Sequence, residues 1–386
     1  AVDLIGQFGV GFYSAFMVAK KVEIITKKAG EREAYQWTSD GLDGFEITSA
    51  KRDENGTDIK LFLKDDAKDF TDTIYLRHII RTYSDHVEYP IVLNLGKAGE
   101  ETVNTASALW TRNKAEITED QYKEFYHHIS KNFDDPWMTL HFKAEGSIEY
   151  NALLYIPSSA PYDLFQPDRQ QSLKLYVNKV FISDKVEGLM PAYLRFVKGV
   201  IDSSDLPLNI SREILQDEPI IRIIRRSTQR KVFGELKKML ENDRENYAKF
   251  WTAFGRTFKE GIAQDPENAK TILSLAIFRT TLNDEWTTLE EYESRMKPEQ
   301  KGIYCLAGND NITALKASPK LEPFTSKGYE VLLMTDPIDE FILSQADFIL
   351  PEGSKDWLNI ARDDVTPDSD DEKKANDEKL KELDAE

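Results

Sequence analysis

Two stretches of this chain combine residue types that do chemistry. The first is Gly6-Gln7-Phe8-Gly9-Val10-Gly11-Phe12. Its three glycines let the backbone turn tightly and approach a ligand without Cβ clashes. The run Phe12 to Ala19 (FYSAFMVA) follows and reads as a short buried helix. The first N–H groups of such a helix are unpaired and favour an anion. A plain packing turn fits the same pattern. The motif is no Walker P-loop, because Gly-Lys-Ser/Thr is missing, and no strand feeds it as a dinucleotide fingerprint requires. The second stretch is Asp205-Leu206-Pro207-Leu208-Asn209-Ile210-Ser211-Arg212-Glu213-Ile214-Leu215-Gln216. Pro207 and Asn209 mark an ordered loop ahead of a long helix. Arg212 would reach a terminal phosphate and offset the charge spread over its oxygens during transfer. Gln216 would orient water or a phosphate oxygen. The competing reading is structural: an Arg212–Glu213 surface pair, or a bridge from Arg212 to Asp202.

Other chemistry is less visible. His78, His86, His127, His128 and His141 show no ligand spacing with Cys305 or with paired carboxylates, and the neighbours His127 and His128 point apart on a helix. No serine sits on a nucleophile elbow. Cys305 is the single cysteine and lies in the apolar run Gly302 to Ala307, so it reads as a buried structural thiol in a reducing compartment. A net charge of 50 − 68 = −18 argues against nucleic acid, whose binding needs a basic face. No run approaches the ~18 apolar residues of a membrane span. Ala1-Val2-Asp3-Leu4 lacks a basic n-region and a cleavage site, and it enters a motif without a starting Met; it reads as a truncation.

The elements that must position these residues follow from patterning. Strand-like runs at 22–27, 34–38, 45–48 and 58–63 are separated by Gly and charged turns, which predicts an antiparallel meander. Apolar residues at Ile74, Leu76, Ile79, Ile80 and Tyr83 predict a helix over 71–86, and 91–95 a closing strand. The polar stretch 96–104 (GKAGEETVN) reads as a linker. A second unit from Leu109-Trp110 alternates a helix (119–132) with strands at 138–143, 150–156, 174–177 and 180–182, a sheet with helices packed on it. From Asp217 about seventy residues read as helix, with Ile221, Ile224, Thr228, Val232, Leu236 and Met239 in one stripe. Strands at 301–306 and 330–335 belong to a further small α/β unit. From Asp363 to Glu386 there are eleven acidic and four basic side chains and no aromatic, predicting solvated helix or disorder.

Together the two motifs resemble the 90-kDa heat-shock chaperone family. Ile5 to Phe16 (IGQFGVGFYSAF) resembles the glycine motif at the end of that family's ATP lid. Tyr83 to His86 resembles the end of its N-terminal domain, and Leu109 to Lys114 and Tyr122 to Tyr126 the start of its middle domain. Ser203 to Gln216 is similar to its catalytic loop. The short linker resembles bacterial or organellar members. The resemblance implies an α/β and α+β multidomain fold: a partial Bergerat-type (GHKL) α/β sandwich, then an α-β-α middle domain with a helical coil and a second small α/β unit. Boundaries would fall at 1–95 for the incomplete ATP-binding domain, 96–104 for the linker and 105–345 for the middle domain. The latter divides into 105–232, 233–285 and 286–345, and 346–386 would be an acidic tail or the start of a dimerisation region.

The implied activity is ATP hydrolysis driving a chaperone cycle. Gln7, Phe8, Gly9, Val10 and Gly11 would offer backbone N–H groups to the ATP phosphates. Phe12 would flank the nucleotide and Thr57 would line the adenine side. Arg212 would contact the γ-phosphate, with Asn209 and Gln216 supporting its loop. Phe181 would pack near that loop, and Phe341 would present apolar surface to clients or simply pack in the core. The general-base glutamate, the Mg²⁺-binding asparagine and the adenine-reading aspartate are expected upstream of Ala1, so no metal ligand is assigned here and this chain alone is expected to be nearly inactive. Implied partners are unfolded or partly folded clients, co-chaperones and a second copy in a homodimer, in the cytoplasm or an organellar matrix. Rival readings are another ATPase of the same nucleotide fold, disfavoured by the Ser-Arg-Glu loop and the negative charge, and an ATP-independent client or co-chaperone binding module.

Overall fold

The computed structural model describes residues 11–96, 99–166, 172–186, 188–206, 219–308, 311–350, 353–362 and 365–367. It is a mixed α/β architecture with several sheets. A 3-10 turn (Gly11–Ser14) and a one-turn helix α1 (Ala15–Val18) lead into β1 (Ala19–Lys27). With β2 (Ala34–Ser39), β3 (Glu46–Ala50) and β4 (Gly56–Leu63), β1 makes an antiparallel sheet of order β3-β2-β1-β4. The expected meander therefore holds only for three strands; β4 crosses back to pair with β1, Ile24 opposite Ile59, the order of a Greek key. The helix before β1 is shorter than expected and not buried: Tyr13 is 64% and Met17 77% exposed. Its apolar character serves the single face that meets Trp37.

Helix α2 (Thr73–Tyr83) starts where the Asp72 side chain accepts from the Ile74 and Tyr75 N–H groups. Gly96 and Gly99 both adopt positive φ, which folds 96–104 back as a hairpin of β5 (Val92–Asn94) and β6 (Glu100–Thr102) rather than a plain connector. Arg77 clamps this hairpin to α2 through a bidentate pair with Glu101, at 3.1 and 2.6 Å.

The second sheet has the order β10-β9-β11-β8-β7, from β7 (Pro136–Ala144), β8 (Tyr150–Pro157), β9 (Ser172–Val177), β10 (Val180–Ser183) and β11 (Lys198–Asp202). Alternate residues of β8 feed opposite cores, as the two-residue period demands. Leu153 and Tyr155 meet Trp110 and Tyr126 under α3 (Glu119–Ser130), whereas Ala152, Leu154 and Ile156 face the helices α4 (Pro219–Asn242), α5 (Arg244–Gln264) and α6 (Ala269–Leu275). The stripe expected in α4 is buried from Ile221 to Leu236, with Met239 partly buried at its end. Helix α5 packs Phe250 and Phe254 on Phe196 and Phe258 on Tyr193 and Phe233, each ring contributing about 1.5–3 kcal/mol by burial.

The same core continues into a third sheet of order β13-β12-β15-β14-β16: β12 (Ile277–Thr280), β13 (Thr287–Thr288), β14 (Ile303–Ala307), β15 (Leu332–Met334) and β16 (Trp357–Asn359). Helices α7 (Leu289–Ser294), α8 (Ile312–Lys316), α9 (Glu322–Thr325) and α10 (Pro337–Ser344) connect its strands. Cys305 is fully buried in β14 and burial pushes its thiol well up, so it is a packed structural thiol as expected.

Candidate functional site

Of the glycine motif, Gln7, Phe8, Gly9 and Val10 lie outside the described residues; Gly11 and Phe12 open the 3-10 turn. Among the described residues, a Cβ on Gly11 would meet nothing within 4 Å. The Phe12 ring sits edge-on to Trp37 at 5.7 Å, and Trp37 stacks on Phe45 at 6.1 Å. Thr57 shares a 2.8 Å hydrogen bond between hydroxyls with Thr26. Register pairs Thr26 with Thr57 and Ile24 with Trp37, and paired residues, like i and i+2, share a face. The sheet thus brings Phe12 and Thr57 to one face, with β1 between them.

Asn209, Arg212 and Gln216 lie outside the described residues, but both flanks of their segment are described. Upstream, Ser203 donates from its backbone N–H to the Tyr176 carbonyl (3.2 Å) and from Oγ to the Glu149 carbonyl (2.7 Å). Asp205 accepts from the Glu149 N–H at 2.7 Å, and Leu206 is buried. Downstream, α4 anchors itself in the core through Ile221 and Ile224. Residues 207–218 are therefore tethered at two fixed points. Asp202, weighed above as a partner for Arg212, is buried; it accepts from Trp110 Nε1 (2.8 Å) and from the Lys179 N–H (3.1 Å). Burial raises its carboxyl above the ordinary range against those donors.

Around Trp110 the end of α2 and the segment after it meet the second sheet. Phe181 packs on Tyr176 (5.6 Å) and on Tyr83 at the end of α2 (5.9 Å), and Lys179 pairs with Glu88. His86 is buried edge-on to Trp110 at 4.6 Å, with Phe125 and Tyr176 on its other sides. Its Nδ1 lies 2.8 Å from the Ser107 carbonyl oxygen, and burial lowers its pKa. Asp85, also buried, accepts from the Thr105 N–H (2.9 Å) and hydroxyl. His128 on α3 brings Nε2 to 3.7 Å from Asp85 Oδ2. Asp85, His86 and His128 thus form a cluster that spacing did not show; Asp85 and His86 are neighbours, but His128 comes from a distant helix and nothing local marks the three as a set. His127 does point away from it, its Nε2 3.0 Å from the Asp134 carbonyl. Phe341 on α10 is half exposed, while its neighbours Ile342 and Leu343 are buried.

The fold defines a mixed α/β protein of several sheets, and the comparison with known sequences makes the family definite. Residues 96–385 match the family model described as Hsp90 protein, and the chain belongs to the Hsp90 family. Among its relatives, Chaperone protein HtpG of Paramagnetospirillum magneticum is 52% identical over 360 residues, covering 93% of this chain and 57% of that protein. Chaperone protein HtpG of Rhodospirillum rubrum is 51% identical over 344 residues, covering 89% and 55%. The same-named protein of Geobacter sulfurreducens is 42% identical, covering 98% and 62%. The chain thus spans little more than half the length of these relatives. Among the described residues no helix is long and apolar enough to cross a membrane.

Proposed function

We propose that the whole protein is an ATP-driven chaperone of the cytoplasm, working as a dimeric clamp on unfolded or partly folded clients, with co-chaperones. What carries this reading is the family match over residues 96–385, joined to relatives at up to 52% identity that are named chaperones. In it, backbone N–H groups of Gln7, Phe8, Gly9, Val10 and Gly11 hold the phosphates of Mg·ATP. Phe12 flanks the nucleotide and Thr57 lines the adenine side. Arg212, on a segment tethered at Ser203–Leu206 and at α4, reaches the γ-phosphate when the second unit docks. It offsets charge that develops in transfer, while Asn209 and Gln216 hold the loop. Closure then couples hydrolysis to client release.

The test is Arg212→Ala in the whole protein. A contact made mainly in the closed state predicts a turnover loss of about a hundredfold or more with nucleotide affinity nearly unchanged. Weaker nucleotide binding at an unchanged rate refutes the role. The chain by itself is expected to turn over almost no ATP. Exposed aromatics on the second and third units, Phe133, Tyr162, Phe341 and Phe348, favour a second, ATP-independent activity in holding clients. Light scattering of an aggregating protein, with and without nucleotide, separates the two.

A further inference from the structure

We propose that Asp85, His86 and His128 form a binding site for one divalent transition-metal ion that prefers imidazole, such as zinc, nickel or cobalt(II), joining the segment after α2 to helix α3. The three ligand atoms already converge: Asp85 Oδ2 lies 3.7 Å from His128 Nε2 and 4.0 Å from His86 Nε2, and all three lie within 4.8 Å of one another. Ligands at about 2.0–2.1 Å from a tetrahedral ion stand roughly 3.4 Å apart, so adjustments of about 0.3 to at most 1.4 Å close the set. His128 can supply them, because its ring is half exposed on the helix surface.

The other two ligands are pre-oriented. Only an N–H can donate to the Ser107 carbonyl, so His86 carries its proton on Nδ1 and presents the Nε2 lone pair toward Asp85. A carbonyl bound to the far ring nitrogen is the outer-shell partner that metal-bound histidines use. Trp110, Phe125 and Tyr176 wedge the ring in place. The Thr105 N–H holds Asp85 Oδ1, and the Thr105 hydroxyl lies 3.1 and 3.0 Å from Oδ1 and Oδ2, which fixes the carboxylate with Oδ2 still nearest the two imidazoles. Two imidazoles and one carboxylate select against magnesium and calcium, which want oxygen. The exposed side of His128 leaves a route in and a position for water.

The experiment titrates cobalt(II) into the 386-residue chain in excess magnesium, which occupies the acidic C-terminal carboxylates. The expected result is one equivalent bound, with the visible absorption of a four-coordinate imidazole site, displaced by zinc. His128→Ala, a change at an exposed position, is expected to weaken binding at least tenfold and abolish the absorption, and Asp85→Asn to do the same. His127→Ala leaves both unchanged. Absence of saturable one-equivalent binding, or binding undiminished in His128→Ala, overturns the proposal.

Discussion

Lys259→Met removes one cation from a contact that joins two parts of the fold. Lys259 lies on α5 and is 4% exposed; Asp339, on α10, is 0% exposed. The Lys259 ammonium sits 2.6 and 2.7 Å from the two Asp339 oxygens and 2.7 Å from Asp336 Oδ2. Asp339 also accepts from the Asp336 N–H at 3.0 Å, closing the capping box of α10. Burial raises the Asp339 carboxyl above its ordinary range, with Lys259 opposing that rise. Methionine keeps the apolar stem and leaves the carboxylate without its cation. Breaking such a buried pair costs about 3–5 kcal/mol. With a urea slope of about 2–3 kcal/mol/M, the unfolding midpoint of the third sheet falls by roughly 1–2 M.

The pH dependence carries a sign. Without Lys259 the folded-state pKa of Asp339 climbs further above its unfolded value. Between the two values the folded state binds more protons, so the variant's stability falls as pH rises through that window. Its deficit against the parent therefore shrinks on acidification. The charge-free pair Lys259→Met with Asp339→Leu is expected to recover most of the loss, short of about 1 kcal/mol for the capping contact. Urea titrations read by tryptophan fluorescence at several pH values check all three points. An unshifted midpoint, or a deficit that grows toward acid, refutes the electrostatic reasoning.

Gly199→Ala is expected to cost about 3 kcal/mol or more, because φ is +141° and a Cβ would lie 2.2 Å from the Leu153 carbonyl oxygen; soluble yield and urea midpoint report it. Trp110→Phe keeps an aromatic ring but removes the donor to buried Asp202, for a loss of about 1–3 kcal/mol. Since burial already raises the Asp202 carboxyl, the Trp110→Phe deficit is expected to shrink as pH falls and the acid becomes neutral. A deficit independent of pH would place the loss in packing instead.

Much of the fold was legible because side-chain period and turn residues agree. The strands of the first sheet are bounded by Gly and charged turns, and the α4 stripe from Ile221 to Leu236 faces one core. Strand order was not legible, since β4 returns to β1 through pairing that no local pattern encodes. β11 escaped notice because Lys198-Gly199 interrupts an apolar run, although that glycine is what lets the central strand pass the Leu153 carbonyl. The 96–104 stretch looked like a linker because Glu100-Glu101-Thr102 is polar; Arg77 supplies the partner that makes it a strand. The third sheet runs past the expected boundary at 345, closing with Trp357–Asn359, a strand too short to stand out. Phe12 packs on Trp37, which lies on the same sheet face as Thr57. The Asp85–His86–His128 cluster, by contrast, depends wholly on how α2 and α3 meet.

One strand ties the junction to the base of the segment bearing Arg212. β11 lies between β9 and β8, with Val200 in one core and Ile201 in the other, so its end cannot shift without disturbing both. Its last residue, Asp202, is held by Trp110, and the next, Ser203, by Glu149 and Tyr176. Trp110 in turn bears on His86, 4.6 Å away across the junction. Any rearrangement there that tilts the indole must either break the Trp110–Asp202 hydrogen bond, at about 1–3 kcal/mol for a buried acceptor, or move the end of β11 with it. That is within the range of a working conformational change. The end of β11, and with it Ser203 to Leu206, is thereby coupled to how the segment after α2 seats on the second sheet, with Trp110 as the shared contact.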